Sequence, residues 1–344
     1  MTLARTFSVA LVGVTGHLIE VEADIANGLP ATILVGLPDT ALREARDRIR
    51  AAIINSGESW PNSKITIGLS PAALPKRGSG FDLAIAIAVL AASQSVPLTA
   101  PAGKMFLAEL GLDGRLRPVA GVLPAVAAAE QDVDTVVVAA PNVAEAALVP
   151  GVAVIGASTL AEVVIWLRGG PPPTLPDPEP LADGPVPGLA QARKPDLAEV
   201  LGQAEARMAV EICAAGGHHL SLLGPPGAGK TMLAERLPTI LPRLETAAAI
   251  EVTSIHSVAG ALVPGTGLVE VPPFCAPHHT SSKAAIVGGG ASVIRPGAVS
   301  LAHMGILFLD ESRKVLRIQR QAHSIRGEAL SEGVYAVQGA FSTL

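Results

Sequence analysis

The stretch HHLSLLGPPGAGKTMLAERLPTILP, residues 218–242, decides the fold of the second half of the chain. Its apolar residues 220–223 predict a strand, and TMLAERL, residues 231–237, predicts a helix. GPPGAGKT, residues 224–231, lies between them and fits the pattern G-x-x-x-x-G-K-[ST]. A strand, a glycine-rich loop and a helix in this order predict a loop that binds polyphosphate. The alternative is a glycine-rich turn that binds no ligand, which the sequence pattern also allows.

The residue types of this loop suit a phosphate group. Glycines let backbone N–H groups turn inward around an anion, and the following helix adds partial positive charge at its N-terminus. Lys230 would reach the β- and γ-phosphates of a nucleotide, and Thr231 would ligate Mg²⁺. The predicted cofactors are therefore ATP and Mg²⁺. The predicted phosphate-binding residues are Gly224, Pro225, Pro226, Gly227, Ala228, Gly229, Lys230 and Thr231.

A second apolar stretch ends in two acids. GILFLDE, residues 305–311, predicts a strand followed by Asp310 and Glu311. With a phosphate loop upstream, Asp310 would help to bind the nucleotide through Mg²⁺, and Glu311 would act as general base toward the attacking water. Lys230 and Glu311 are thus the predicted catalytic residues, and Thr231 and Asp310 the predicted metal ligands. An exposed acidic strand end is the structural alternative.

Composition limits the class of protein. The chain has 344 residues, 49% apolar and 16% charged, which is enough for two domains with large cores. Its formal net charge of −5 argues against a generic nucleic-acid binder, although a local basic patch is not excluded. Two distant cysteines, Cys213 and Cys275, predict no disulfide framework and favour the cytoplasm. No apolar run reaches the roughly 18–20 residues of a membrane helix, so no membrane partner is predicted.

Residues 1–168 alternate between strand and helix patterns, which predicts an α/β domain. DLAIAIAVLAAS, residues 82–93, is apolar on nearly every side and predicts a buried helix. A hairpin is predicted to turn at Asp113 and Gly114. A second helix is predicted at 39–57, where Asp39 would cap the N-terminus and Leu42, Ala45, Ile49 and Ile53 lie on one face. A third is predicted at 122–131. The predicted strands are 6–14, 17–25, 64–71 and 134–140.

Residues 169–195 are rich in proline, which fixes φ and removes backbone donors. They are predicted to be an extended, semi-rigid linker between two domains. A new pattern begins at Asp196. DLAEVLGQAEARMAVEICAAGG, residues 196–217, predicts one helix that Asp196 caps and that Gly216 and Gly217 end.

Several stretches resemble the AAA+ magnesium-chelatase-like ATPases of the YifB/ComM type. The resemblance covers residues 1–311 in the family's order, and its middle stretches are specific to this family rather than to P-loop proteins at large. The stretches are AVEICAAGGHHLSLLGPPGAGKT (209–231), PFCAPHHTSSKAAIVGGG (273–290), IRPGAVSLAHMGILFLDE (294–311), and, in the N-terminal domain, GLPDTALREARDRIRAAIINSG (36–57) and PKRGSGFDLAIAIAVL (75–90).

The resemblance implies a fold and a family role. The fold is α/β, with an N-terminal Lon-protease-like (ribosomal S5 domain 2-like) domain at 1–168, the proline-rich linker at 169–195, and an incomplete P-loop AAA+ domain at 196–311. The role is that of a hexameric, ATP-driven ring acting on DNA, since ComM-type members are linked to branch migration during natural transformation. A magnesium-chelatase-type motor subunit is the alternative, although chelatase motors lack the Lon-like domain.

The resemblance does not imply a peptidase. PKRGSGFDLA places Gly80 where Lon-type enzymes carry the nucleophilic serine, and GRLRPVAGVLPAV places Leu123 where they carry the partner lysine. Ser79 and Lys76 lie nearby in the sequence but have no matching base and orienting group. A binding or ring-assembly module is therefore expected.

Three further sets of polar residues each allow more than one interpretation. CAPHHT offers Cys275, His278 and His279, but adjacent histidines in an extended segment point to opposite faces, which favours a family loop over a metal site. Lys283, followed by glycines at 288–290, would either contact DNA phosphate or lie in a solvated loop. The arginines of helix 39–57 alternate with acids, which favours a solvated helix face over a DNA groove.

Residues 312–344 diverge from the family pattern, and no sensor strand, arginine finger or helical lid is recognised in them. GVYAVQGAF, residues 333–341, is the one part with strand character that could fill the sensor-strand position. In related systems the absence of an arginine finger lowers the turnover rate by a factor of roughly 10³–10⁵. ATP binding with negligible hydrolysis is therefore expected. A frameshift is the hypothesis for the divergent tail, and a non-enzymatic remnant is the third alternative for function.

Overall fold

The computed structural model describes residues 2–36, 39–76, 78–175, 195–263, 265, 267–289, 295–309 and 334–336, without the side chains of 39–43 and 334–336. They belong to two compact units. The N-terminal unit comprises Met1–Glu179 and Ser257–Gly267, and the C-terminal unit comprises Pro180–His256 and Leu268–Leu344. Most of the predicted linker and tail, together with Asp310 and Glu311, lie outside the described residues, and the domain limits stay predictions.

A seven-stranded sheet forms the centre of the N-terminal unit. Its strands are β1 (Thr2–Val12), β2 (Thr15–Ala26), β3 (Ala31–Val35), β4 (Lys64–Ser70), β5 (Lys104–Leu107), β8 (Thr135–Ala139) and β9 (Ala153–Ala157), and a separate hairpin is made of β6 (Glu109–Leu110) and β7 (Leu116–Arg117). The order in the sheet is β3-β4-β2-β1-β5-β8-β9. β2 pairs antiparallel with β1 and β4, and the other neighbours are parallel. This mixed, mainly parallel sheet confirms the predicted α/β class.

The helices of the N-terminal unit cover this sheet. They are α1 (Asp39–Asn55), α2 (Asp82–Ala92), α3 (Val122–Ala129), α4 (Val143–Ala146) and α5 (Leu160–Leu167), with a 3₁₀ turn at Ala140–Asn142. Every residue of α2 is buried, as its mostly apolar sequence predicts. On α1, Ala45, Ile49 and Ile53 face the core as predicted. Gly57, with φ +82°, follows the end of that helix.

The C-terminal unit has more helix than strand among its described residues. Its helices are a 3₁₀ turn at Leu197–Glu199, α6 (Ala204–Gly216), α7 (Lys230–Ile240), α8 (Thr246–Val258, whose last two residues are assigned to the N-terminal unit), α9 (Lys283–Val287) and α10 (Ala298–Leu301). Its strands are β10 (Phe274–Cys275), β11 (Gly288–Gly289), β12 (Arg295–Pro296), β13 (Ile306–Phe308) and β14 (Val334–Ala336). β13 pairs parallel with β10 and antiparallel with β14, and β11 pairs with β12. β14 lies within GVYAVQGAF, the tail segment with predicted strand character.

Two predictions for this unit are wrong in detail. The single helix predicted at 196–217 is two, because Gly202 and Gln203 adopt positive φ values of +72° and +51° and interrupt the helical backbone. The strand predicted at 220–223 is reduced to an isolated bridge at Leu220, and residues 221–223 have no regular secondary structure. A strand needs a hydrogen-bonded neighbour, which the apolar pattern by itself does not supply.

Within the described ranges, none of the helices is long and apolar enough to cross a membrane.

A buried ion pair joins two helices of the N-terminal unit. Arg48 of α1 donates from Nε and Nη2 to the Asp82 carboxylate at 2.6 Å and 3.0 Å, and the backbone N–H of Leu110 donates to it at 3.2 Å. Asp82 is 1% exposed, and this burial raises the pKa of its carboxyl group while Arg48 opposes the rise. The hydrogen bond to Asp82 in turn raises the pKa of Arg48.

We expect R48M to lower the free energy of unfolding by about 3 kcal/mol, the low end for breaking a buried ion pair because Arg48 is itself partly exposed, since it leaves the buried Asp82 carboxylate without its cation. Urea unfolding followed by tryptophan fluorescence measures this, since both tryptophans, Trp60 and Trp166, pack against the core of this unit. R46M is the matched control on the same helix, because the ion pair that Arg46 forms among the described side chains is with the exposed Asp47. Equal losses in the two variants would refute a structural role for the buried pair.

Candidate functional site

The glycine-rich loop 224–231, here called the phosphate loop, leads directly into helix α7. Gly227 and Gly229 have φ values of +81° and +80°, which side-chain-bearing residues rarely adopt, and Gly229 is the residue before the first helical residue. The Ala228 N–H donates to the Pro225 carbonyl at 3.2 Å and closes a turn in the loop. The sequence prediction of a tight loop followed by a helix is therefore confirmed here.

Lys230 lies back over the phosphate loop. Its Nζ donates to the carbonyl oxygens of Gly224 at 2.8 Å and Pro225 at 3.1 Å, so the cation is held at the opening of the loop rather than extended into water. Thr231 follows it in the first turn of α7 and is exposed. A free helix N-terminus, an ammonium group and a hydroxyl thus lie together, which is the donor set that an anion with a bound divalent cation needs.

A small apolar core supports the loop. Leu233 and Leu237 of α7 are buried in one cluster with Leu220, Ile306 and Phe308. The rings of Phe274 and Phe308 stack with centroids 6.0 Å apart, next to the parallel pairing of β10 with β13. Asp310 and Glu311 follow β13 in the sequence but lie outside the described residues, so their predicted roles in metal binding and catalysis stay predictions.

The segment Asp196–Gln203, here called the entry segment, is tied to α7. Asp196 accepts a hydrogen bond from the Ala198 N–H at 2.9 Å. It is therefore a cap as predicted, although it caps a 3₁₀ turn and not the start of one long helix. Arg236 of α7 donates from Nε to the Asp196 carbonyl at 3.0 Å. Gln203 donates from Nε2 to the Ala228 carbonyl of the phosphate loop at 3.3 Å. The sequence analysis did not identify Arg236 or Gln203. The signal that could have located the break before Gln203 is Gly202, a glycine inside the predicted helix.

The glycines of the phosphate loop differ in how much space surrounds them. A Cβ at Gly229 would lie 2.9 Å from Gln203 Nε2 and 3.1 Å from Met232 Cε, and one at Gly224 would lie 3.3 Å from the Ala228 Cβ. A Cβ at Gly227 would meet open space. The loop therefore needs glycine at 229 for both backbone conformation and space, and it leaves its outer side open for a ligand. The predicted residues 224–231 are brought together by the fold.

The residues weighed as a peptidase site have separate partners. Lys76 is buried and donates to the carbonyls of Pro71 and, at 3.3 Å, Leu74, and its burial lowers the pKa of the ammonium group. Ser79 donates its hydroxyl to the Glu109 carboxylate. A Cβ added at Gly80 would lie 3.4 Å from Cδ1 of Leu107. Serine and lysine are therefore not arranged as nucleophile and base.

The histidines of CAPHHT are arranged differently from the prediction. The rings of His278 and His279 lie with centroids 4.1 Å apart instead of on opposite faces. The described part of the chain contains no group of three or more His, Cys, Asp or Glu residues that could hold a metal ion. Lys283 is exposed at the first position of α9, after the Ser282 cap. Neither a metal role nor a phosphate-contacting role is assigned by this arrangement.

Comparison with known families matches both halves of the chain. The family model described as "Magnesium chelatase, subunit ChlI" matches residues 196–332, and that described as "Subunit ChlI of Mg-chelatase" matches residues 21–142. The chain is 42% identical over 325 residues to the competence protein ComM of Haemophilus influenzae, covering 93% of this chain and 63% of ComM. The chain belongs to the YifB/ComM group of magnesium-chelatase-like proteins.

Other relatives agree with this assignment. The YifB protein of Salmonella typhimurium is 44% identical over 311 residues, which is 90% of this chain and 60% of YifB. The uncharacterized protein Rv2897c of Mycobacterium tuberculosis is 54% identical over 316 residues, which is 92% of this chain and 61% of the relative. The chain thus spans about three fifths of the length of the curated relatives it matches. Homology makes it an AAA+ family member, of a nucleotide-binding type that generally uses ATP and Mg²⁺.

We expect G229A to destabilise the C-terminal unit more than G227A does. Both substitutions force alanine into a left-handed conformation at a cost of about 1–2 kcal/mol, but only the methyl group at 229 meets Gln203 and Met232. Differential scanning calorimetry of the two variants measures the difference, with G57A as a matched control because Gly57 has the same sign of φ and open space around it. A smaller loss for G229A than for G227A would contradict the geometry described above.

Proposed function

We propose that the phosphate loop binds ATP with Mg²⁺. The observation that carries this proposal is the position of Lys230, whose Nζ lies on the carbonyls of Gly224 and Pro225 directly before the free N-terminus of α7. Two carbonyl oxygens solvate an ammonium group less favourably than anionic phosphate oxygens do. Lys230 is therefore poised to exchange these partners for the β- and γ-phosphates.

Each residue of the loop has a distinct role in this proposal. The backbone N–H groups of Gly227, Gly229 and the first residues of α7 bind the anion, and Lys230 adds a charge-assisted hydrogen bond. The Thr231 hydroxyl and Asp310 would hold Mg²⁺, which neutralises charge that develops on the phosphates during transfer. Glu311 would accept a proton from the attacking water, which is the role proposed for it in a complete motor.

We expect K230A to weaken binding of Mg·ATP by about tenfold to a hundredfold, the loss of one hydrogen bond to a charged group. Equilibrium titration of the 344-residue chain with a fluorescent ATP analogue measures the dissociation constant. K283A is the control, since Lys283 is an exposed lysine of the same unit on another helix. Equal affinity of K230A and the unmodified chain would overturn the proposed site.

We also propose that this polypeptide by itself turns ATP over slowly, and that its full-length family role is ATP-driven work on DNA as a hexameric ring. Support for slow turnover comes from the sequence, in which no arginine finger is recognised. Support for the DNA role comes from the similarity to a protein named for competence. A chelatase-type motor is the second candidate, because both matching family models are named for a magnesium chelatase subunit.

For the isolated chain we expect a rate of phosphate release from ATP that is at most about tenfold above the rate of the K230A variant. The reason is that an arginine finger supplied in trans raises the turnover number by roughly 10³–10⁵ in related systems. A malachite-green assay with and without branched DNA measures this. For a version extended to the full length of the relatives, branched DNA should stimulate hydrolysis if the DNA role holds. Stimulation by a porphyrin-binding partner instead would favour the chelatase role.

A further inference from the structure

The interruption between the 3₁₀ turn and α6 places one side chain against the phosphate loop. Gln203 has a φ of +51° although it is not glycine, and its carboxamide Nε2 donates to the Ala228 carbonyl at 3.3 Å. The two residues are 25 positions apart in the sequence. A left-handed backbone at a residue with a side chain is unfavourable, and it persists only where surrounding contacts demand it.

Those contacts fix Gln203 on both sides. Before it, Leu197 and Val200 are buried in the same apolar cluster as α7, and Arg236 holds the Asp196 carbonyl. After it, the Gln203 carbonyl accepts from the Arg207 N–H at 2.9 Å and begins the hydrogen-bond ladder of α6. The entry segment is therefore anchored to α7 at one end and to α6 at the other, and the Gln203 side chain is directed at the loop between them.

The contact has a consequence for the Ala228–Gly229 peptide. Because a trans peptide is planar, its C=O and N–H point in opposite directions. When Gln203 holds the Ala228 carbonyl, the Gly229 N–H is turned away from the entry segment. Gln203 also lies beside Gly229, since a Cβ there would be 2.9 Å from its Nε2. One carboxamide thus sets the orientation of a peptide group in the middle of the anion-binding turn.

We propose that Gln203 is a positioning residue that pre-orients the phosphate loop for a nucleoside triphosphate. This rests on the proposed function, since it names a residue that acts on the same site through the loop and not through contact with the ligand. A pre-oriented loop binds more tightly because less conformational freedom is lost on binding. This role belongs to the side chain of Gln203. Its backbone conformation, with a positive φ, would be adopted more readily by glycine.

The test uses Q203G, Q203A and Q203E in the full 344-residue chain. Q203G removes the carboxamide and also relieves the left-handed backbone, so its melting temperature should be equal to or above that of the unmodified chain. Its affinity for Mg·ATP should nevertheless fall about threefold to tenfold, the range of one neutral hydrogen bond. Q203A should lose a similar amount. Q203E should lose more, because a carboxylate repels both the Ala228 carbonyl and the phosphates.

Gln94 supplies the matched control. It is an exposed glutamine of the N-terminal unit with a φ of +62°. Q94G therefore makes the same backbone change far from the loop in sequence, and it should raise stability without changing affinity. A purely structural role for Gln203 predicts that Q203G behaves like Q94G. That result, with unchanged ATP affinity, would overturn the proposal.

A second readout separates this proposal from the proposed function. Hydrogen–deuterium exchange of the Ala228 amide in the protein without nucleotide should be faster in Q203G than in the unmodified chain, because the turn to Pro225 loses its support. Faster exchange combined with no ATP binding by the unmodified chain would support loop positioning and refute the proposed function. Unchanged exchange in Q203G would refute loop positioning whatever the affinity of the unmodified chain.

Discussion

The burial of Leu233 and Leu237 of α7 against Leu220, Ile306 and Phe308 fixes the position of the phosphate loop. Burying one such side chain contributes about 1.5–3 kcal/mol, which is far more than the exposed loop residues gain from their own contacts. The loop itself is open to solvent and relies on glycines with positive φ. The start of α7 is therefore set by its apolar face, and the loop has only to connect that start to Leu220.

Electrostatics then gives the loop its chemical character. Lys230 is satisfied by loop carbonyls, and the first N–H groups of α7 have no helical acceptor before them. This concentrates positive potential at one point of a chain whose formal net charge is −5. The buried charges of the N-terminal unit behave differently, because Asp82 is neutralised within the fold by Arg48 and is not available to a ligand. The two units thus differ in their charges: the N-terminal unit pairs a buried carboxylate with an arginine, and the C-terminal unit holds a lysine ammonium group on loop carbonyls.

Much of the fold was predictable because its signals are local. The glycine-rich loop, the mostly apolar helix α2 and the strands β1 and β2 are each recognisable within a short window of sequence. The strand expected at 220–223 was not predictable in this way, since a strand depends on pairing with distant residues. The break at Gly202 and Gln203 was also missed, because the helical pattern continues across it and the left-handed conformation of Gln203 is held by contacts with residues distant in the sequence. The positioning contact from Gln203 to Ala228 follows from that break and could be found only from the structure.

The central claim is that residues 224–231 bind Mg·ATP, and amide hydrogen exchange of the intact chain with and without Mg·ATP tests it most directly. If the loop binds Mg·ATP, peptides that cover the phosphate loop and the first turn of α7 should be strongly protected from exchange. They should not be protected when Mg²⁺ and a non-hydrolysable sugar phosphate replace the nucleotide. Protection confined to other parts of the chain, or none at saturating Mg·ATP, would contradict the account.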